Sequence, residues 1–201
     1  MDCTSISTFL LVLITITTCH QAHAQEAPQA APGPSTSTSA SATGPTMTKP
    51  ELLAKACDNT PLTKDLCRSF LASFPESEVK DIHALAKFAI KMTSLNASKT
   101  HDQIETMEHN PATDDVTKQR LNDCAENYQD AIDQLEDSMP ALDSKVYDDV
   151  ITFITAAVQD VESCEDGFKE PPAVKSPMTE TNQVFTQLCN ICLSITNMCG
   201  K

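Results

Sequence analysis

Nine cysteines are the residues of this chain best suited to chemistry, at positions 3, 19, 57, 67, 124, 164, 189, 192 and 199. A thiol can close a disulfide, hold a soft metal ion or attack an electrophile, and spacing separates these uses. Cys3 and Cys19 lie in or beside an apolar N-terminal run and leave with it when it is removed as a leader. Four of the remaining cysteines can form two bridges, and four cysteines allow three pairings. Only Cys57 with Cys67 and Cys124 with Cys164 closes a short hairpin and joins two facing helix stripes, so these are the expected disulfides. Cys189, Cys192 and Cys199 are left on the last segment as free thiols, read as small buried apolar side chains. A local bridge, or a disulfide-linked dimer through the odd thiol, is the alternative. Cys189 and Cys192 have C-x-x-C spacing, but no second pair and no neighbouring histidine accompanies them, so neither a metal nor a cofactor is expected.

Catalytic constellations are missing as well. His83, His101 and His109 share one segment with no recognisable nucleophile, and no H-E-x-x-H, G-x-S-x-G, phosphate loop or dinucleotide fingerprint occurs. Asp148, Asp149, Asp160, Glu162, Glu165 and Asp166 are what a solvated helix face and its end would carry. The chain therefore reads as a non-enzyme. Its formal charge of −14 argues against nucleic-acid binding, which needs Lys and Arg to neutralise phosphates, and would steer a basic partner toward it. Asn96-Ala97-Ser98 is a candidate N-glycosylation sequon.

The elements that must position these residues begin after two non-globular stretches. Residues 1–24 read as a signal peptide: an uncharged, mostly apolar run over 6–18, then Ala22-His23-Ala24, a small-x-small cleavage pattern. Residues 25–49 are rich in Pro, Ser, Thr and Ala and read as a disordered linker with almost nothing to bury. No later stretch is apolar enough to span a bilayer, so a secreted protein with no membrane contact after cleavage is expected.

Residues 50–199 are left to fold as one domain, divided into a helical hairpin over 50–74 and a bundle over 75–199. In 146–168, Val146, Val150, Phe153, Ile154, Ala157, Val161, Cys164 and Phe168 recur at steps of three and four, the repeat of one helical face. At about 1.5 Å per residue such a helix reaches about 35 Å and needs partners along its length. Leu121, Cys124, Tyr128, Ala131, Ile132, Leu135 and Met139 form a matching stripe, with Pro140 expected to stop that helix and Asp143 or Ser144 to cap the next. A first long helix is expected over 77–109, with Ile82, Leu85, Ala86, Ala89, Thr93, Ala97, Ile104 and Met107 inward. A last one is expected over 179–198, with Val184, Phe185, Leu188, Ile191, Cys192, Ile195 and Met198 inward. Short connections then imply an all-α fold: an antiparallel up-and-down four-helix bundle behind a disulfide-closed hairpin.

These residues resemble the plant invertase and pectin methylesterase inhibitor family. The likeness rests on Cys57-Asp-Asn-Thr-Pro61 followed by Cys67, Leu121-Asn-Asp-Cys124 with Tyr128, Thr155-Ala156-Ala157, Cys164-Glu-Asp-Gly-Phe168, and Ser176-Pro177 with Asn182. The resemblance implies the same bundle and the same two disulfides. It also implies a secreted inhibitor that covers the substrate cleft of pectin methylesterase or acid invertase in a non-covalent complex. The implied location is the apoplast and cell wall, or the vacuole. Some invertase inhibitors are similar to one another in a Pro-Lys-Phe tripeptide near the start of the third bundle helix. Here Asp143-Ser144-Lys145-Val146-Tyr147 keeps the lysine without the proline and phenylalanine, which places pectin methylesterase ahead. The alternative is a non-inhibitory wall protein that keeps the same bundle.

Overall fold

The computed structural model describes residues 47–58 and 64–201. The leader expected over 1–24, the linker as far as residue 46 and the Asn59-Thr60-Pro61 turn lie outside the described residues. Every regular element described is helical: α1 (Lys49–Asp58), α2 (Lys64–Leu71), a 3₁₀ turn (Glu76–Glu78), α3 (Ile82–Glu108), α4 (Asp115–Asp143), α5 (Tyr147–Gly167) and α6 (Thr179–Cys199). None of these helices is long and apolar enough to cross a membrane.

Helix starts follow from local chemistry. At α1, the Glu51 carboxylate reaches back to accept from the backbone N–H and the hydroxyl of Thr48, both at 2.9 Å. This is the carboxylate half of a capping box. Asp81 accepts from the Ala84 N–H at 2.8 Å to open α3, and Asp114 accepts from Thr117 N–H at 3.0 Å to open α4. Each satisfies a donor that the helix itself cannot. The long helix expected from residue 77 starts instead at Ile82, because residues 76–78 turn as 3₁₀ and Asp81 supplies the cap.

Pro140 does not stop α4, which continues to Asp143. Proline lacks one N–H and crowds the preceding turn, but within the final turn only one ladder bond is lost. The helix then ends in a Schellman motif: Lys145 N–H donates to Leu142 O and Val146 N–H to Ala141 O, both at 2.9 Å. Lys145 occupies the left-handed position at φ 60°, where glycine is the usual residue. Because that motif uses residues 144–146, neither Asp143 nor Ser144 caps α5. Its N-cap is Val146, with no side-chain cap bond.

Helices α3 to α6 form a ring in which each packs against the next and α6 closes on α3. Their antiparallel sense is fixed by contacts between opposite ends. Lys87 near the start of α3 meets Asp143 at the end of α4, and Cys124 early in α4 joins Cys164 late in α5. Leu85, Ile90, Ile104, Leu121, Leu135, Leu142, Ile154, Phe185 and Ile191 are fully or almost fully buried inside the ring. Each such side chain contributes roughly 1.5 to 3 kcal/mol on leaving water. Two residues expected inward are not. Val184 is 42% exposed and Val146 is 44% exposed. Outside the ring, α1 and α2 pack on one another and α1 on α6, with Cys57–Cys67 between them at no solvent exposure. Phe74 continues that contact to Phe88 of α3, with ring centroids 5.1 Å apart.

Candidate docking surface

Where α5 ends and α6 begins, a polar lock sits inside the helix ring. The Tyr128 hydroxyl donates to Asn182 Oδ1 at 2.9 Å, and Asn182 Nδ2 donates to Glu165 Oε2 at 2.9 Å. Glu165 also accepts from Ser176 Oγ at 2.9 Å and Thr179 Oγ1 at 2.7 Å, while Ser176 Oγ takes the Met178 N–H. Asn182 Nδ2 lies 3.5 Å from the bridged Cys164 sulfur. Three helices and the 168–178 loop are thereby held in one register, with the Tyr128–Asn182 bond too buried to be exchanged for water and the half-buried Glu165 and exposed Thr179 closing the network at the surface. Burial pushes the Tyr128 phenol up, keeping it a neutral donor.

Sequence periodicity did not single out Asn182, which entered only through the family resemblance. The signal was present: Met178, Asn182, Phe185, Cys189, Cys192 and Thr196 step by four and three along α6, and all are buried. A polar residue inside such a series needs a partner.

Above the lock, α5 and α6 form a shallow groove of about 490 Å³, lined by Glu162, Lys169, Gln183, Thr186 and Gln187 among others. Its surface offers amides, hydroxyls and charges of both signs on rigid helices. That chemistry suits hydrogen bonding to a second protein. Arg120 of α4 lies 3.8 Å from both Asp123 and Glu170. The α4–α5 side is acidic. Asp160 has a buried oxygen with no hydrogen-bond partner, and burial, then the Asp130 charge, holds its carboxyl above the usual range.

The remaining residues singled out by sequence are scattered. Cys57–Cys67 and Cys124–Cys164 are bonded, with Cα separations of 5.6 and 4.5 Å. Cys189 and Cys192 are buried thiols, and Cys192 Sγ lies 3.3 Å from Thr93 Oγ1. Burial raises Cys189 well above the ordinary thiol range, Cys192 to about 12 and the half-buried Cys199 to about 11. Asn96 is half-buried on α3. His83 faces the Tyr147 ring at 6.3 Å, His109 contacts the Glu105 carbonyl, and His101 lies 3.9 Å from the Glu105 carboxylate. Among the described residues no histidine nitrogen is hydrogen-bonded to a hydroxyl or thiol. His101, Asp102 and Glu105 bring ligand atoms within 4.8 Å of one another on one helix face. Two of the three are exposed carboxylates such as any solvated helix carries.

Residues 51–195 match the family described as plant invertase/pectin methylesterase inhibitor. A pectinesterase inhibitor of Actinidia deliciosa is 33% identical over 147 residues, covering 73% of this chain and 78% of its own. The cell wall / vacuolar inhibitor of fructosidase 2 of Arabidopsis thaliana is 30% identical over 141 residues, covering 70% and 77%. The crystal structure of mutant form A of a pectin methylesterase inhibitor from Arabidopsis matches with a TM-score of 0.61 at 26% identity, covering 73% of this chain and 95% of that one. With this bundle, this lock and a family match over most of its length, the chain belongs to the plant invertase/pectin methylesterase inhibitor family.

Proposed function

We propose that the chain is a secreted inhibitor that docks its helix surface over the substrate cleft of a cell-wall or vacuolar enzyme, pectin methylesterase in preference to acid invertase. The observation that carries this reading is the rigid face built by the Cys124–Cys164 bridge and the Tyr128–Asn182–Glu165 lock. A surface held in shape before contact loses less entropy on docking, so a larger share of its contact energy becomes affinity.

The preference for pectin methylesterase rests on the corner between α4 and α5. Lys145 is exposed there on a left-handed backbone, flanked by Ser144 and Val146 in place of a proline and a phenylalanine. The acidic α4–α5 flank supports the same choice by favouring a target with a basic rim. Titrating the purified protein against one pectin methylesterase and one acid invertase at mildly acidic pH tests it. Stoichiometric loss of pectin methylesterase activity alone is the expected result. Inhibition of invertase alone reverses the preference, and inhibition of neither supports the non-inhibitory wall protein instead.

A further inference from the structure

Away from the α5–α6 lock, α3 and the segment preceding it form a second groove, of about 520 Å³, with a different character. Lys80, Lys87 and Lys91 stand along it with one carboxylate, Glu78, and Phe88, Met92 and Leu95 of α3 with Met139 of α4 supply its apolar surface. The cations gather here in a protein with twice as many acidic residues as basic ones, 28 against 14. Lys87 is engaged with both oxygens of Asp143, at 2.6 and 2.9 Å. Lys80 and Lys91 are exposed and have no carboxylate partner among the described residues. Leu95 is 46% exposed, one of three large apolar side chains that stay in water among the described residues.

We propose that this groove binds a linear polysaccharide carrying carboxylates, with Lys80 and Lys91 pairing acid groups several sugar units apart and the Phe88–Met92–Leu95 strip packing against the sugar rings. Lys80 precedes α3 and Lys91 lies well along it, so at about 1.5 Å of rise per residue the two cations without a carboxylate partner are spread along a line, on the order of 13 Å or more apart, and not gathered around a point. A uronate chain extends in the same way: each ring presents an apolar C–H face and each bears an acid group. The aromatic and thioether side chains between the lysines meet the first feature, and the ammonium groups meet the second.

An acidic folded protein fits less well. It needs a contact of roughly 800 Å² on each partner, which would extend past the groove onto Glu76 and Asp81 and set like charges against one another. A single polymer strand can follow the lysines and leave those carboxylates in solvent. The groove lies away from the lock and meets the end of α4 through Met139 and the Lys87–Asp143 pair, which the variants below leave in place, so this proposal does not rest on which enzyme is inhibited.

The test uses the chain purified from the medium of a secreting host. Isothermal titration calorimetry at low salt compares a de-esterified oligogalacturonate of about ten units with the same oligomer fully methyl-esterified. The expected result is binding of the acid form, at least about tenfold weaker binding of the ester, and a steep loss as salt rises. Lys80→Ala/Lys91→Ala should weaken acid-form binding at least about tenfold with unchanged helix content and unchanged enzyme inhibition. Lys118→Ala/Lys175→Ala, which lies outside the groove, should leave it intact. Equal losses in both double variants would mean diffuse charge attraction and overturn the proposal. So would equal affinity for acid and ester forms, or no binding of either. A folded acidic protein that competed through Lys80 and Lys91 while the oligomer did not bind would overturn it as well.

Discussion

Asn182→Leu keeps much of the side-chain volume of the lock and removes every bond it makes. The Tyr128 hydroxyl, fully buried, then has no acceptor, and Glu165 loses its amide donor while keeping the Ser176 and Thr179 hydroxyls. An orphaned buried hydroxyl costs about 1 to 3 kcal/mol, and a lost bond to a charged acceptor that keeps two others adds about 1.5, for a total near 3 to 4 kcal/mol. In a domain of this size that lowers Tm by roughly 10 °C. Tyr128→Phe removes the donor alone and should cost about 1 kcal/mol. The double variant has no stranded hydroxyl, so it should be more stable than the sum of the single losses by at least about 1 kcal/mol. Urea denaturation followed by far-ultraviolet circular dichroism measures all four corners of the cycle. Additive losses, or an Asn182→Leu protein within about 1 kcal/mol of the parent, would refute the idea that these two residues act as one unit.

Other outcomes follow from single features. Replacing Cys124 and Cys164 by serine opens a loop with a sequence separation of 40 and should cost about 4 kcal/mol by the chain-entropy relation, against about 3 for Cys57 and Cys67 with a separation of 10. Denaturation midpoints in the same buffer test that order. Lys145→Gly should stabilise the α4–α5 corner by about 0.5 to 1 kcal/mol, since glycine takes φ 60° without a Cβ penalty. An unchanged or lower Tm contradicts this. Asp160 has a folded-state pKa raised above its unfolded value by burial, then by Asp130. The folded state therefore holds that proton more tightly, and stability falls as pH climbs from the unfolded value through the folded one. Asp160→Asn should raise Tm near pH 7, with an effect that shrinks as pH falls below the ordinary carboxylate range, where folded and unfolded states both hold the proton. Because burial holds Cys192 near 12 and Cys199 near 11, the thiols Cys189, Cys192 and Cys199 should react slowly with a disulfide reagent at neutral pH and rapidly after denaturation.

The helical plan was legible because burial repeats with the helix itself. Every residue from Leu121 to Leu135 named on the α4 stripe is buried, as are Val150, Ile154, Ala157, Val161 and Cys164 of α5. Corners were harder to read. Pro140 looks like a terminator in isolation, but the Schellman motif three residues later decides where α4 ends, and that motif is a set of backbone bonds with no glycine to announce it. Val146 satisfies the α5 period and still faces solvent, because a cap position is not yet on the helical face. Val184 shows the same limit from the other side. The buried face of α6 is wider than the expected stripe, taking in Asn182, Cys189 and Thr196 beside Leu188, Ile191, Cys192 and Ile195, and Val184 lies at its edge. The lock and the lysine groove depend on which helices become neighbours. Tyr128 and Asn182 are 54 residues apart in sequence, and no local pattern connects them.

The order of cysteines along the chain matters to how the molecule is made. Among the described residues both bridges join consecutive cysteines, and all three unbridged thiols come later, on α6. Synthesis delivers the N-terminal part first, at roughly 5 to 20 residues per second. In an oxidising compartment Cys57 meets Cys67, and Cys124 meets Cys164, before Cys189 has emerged to compete. When α6 completes the ring, Cys189 and Cys192 are enclosed and Cys199 is left half-buried, so correct pairing can be secured by timing before burial protects it.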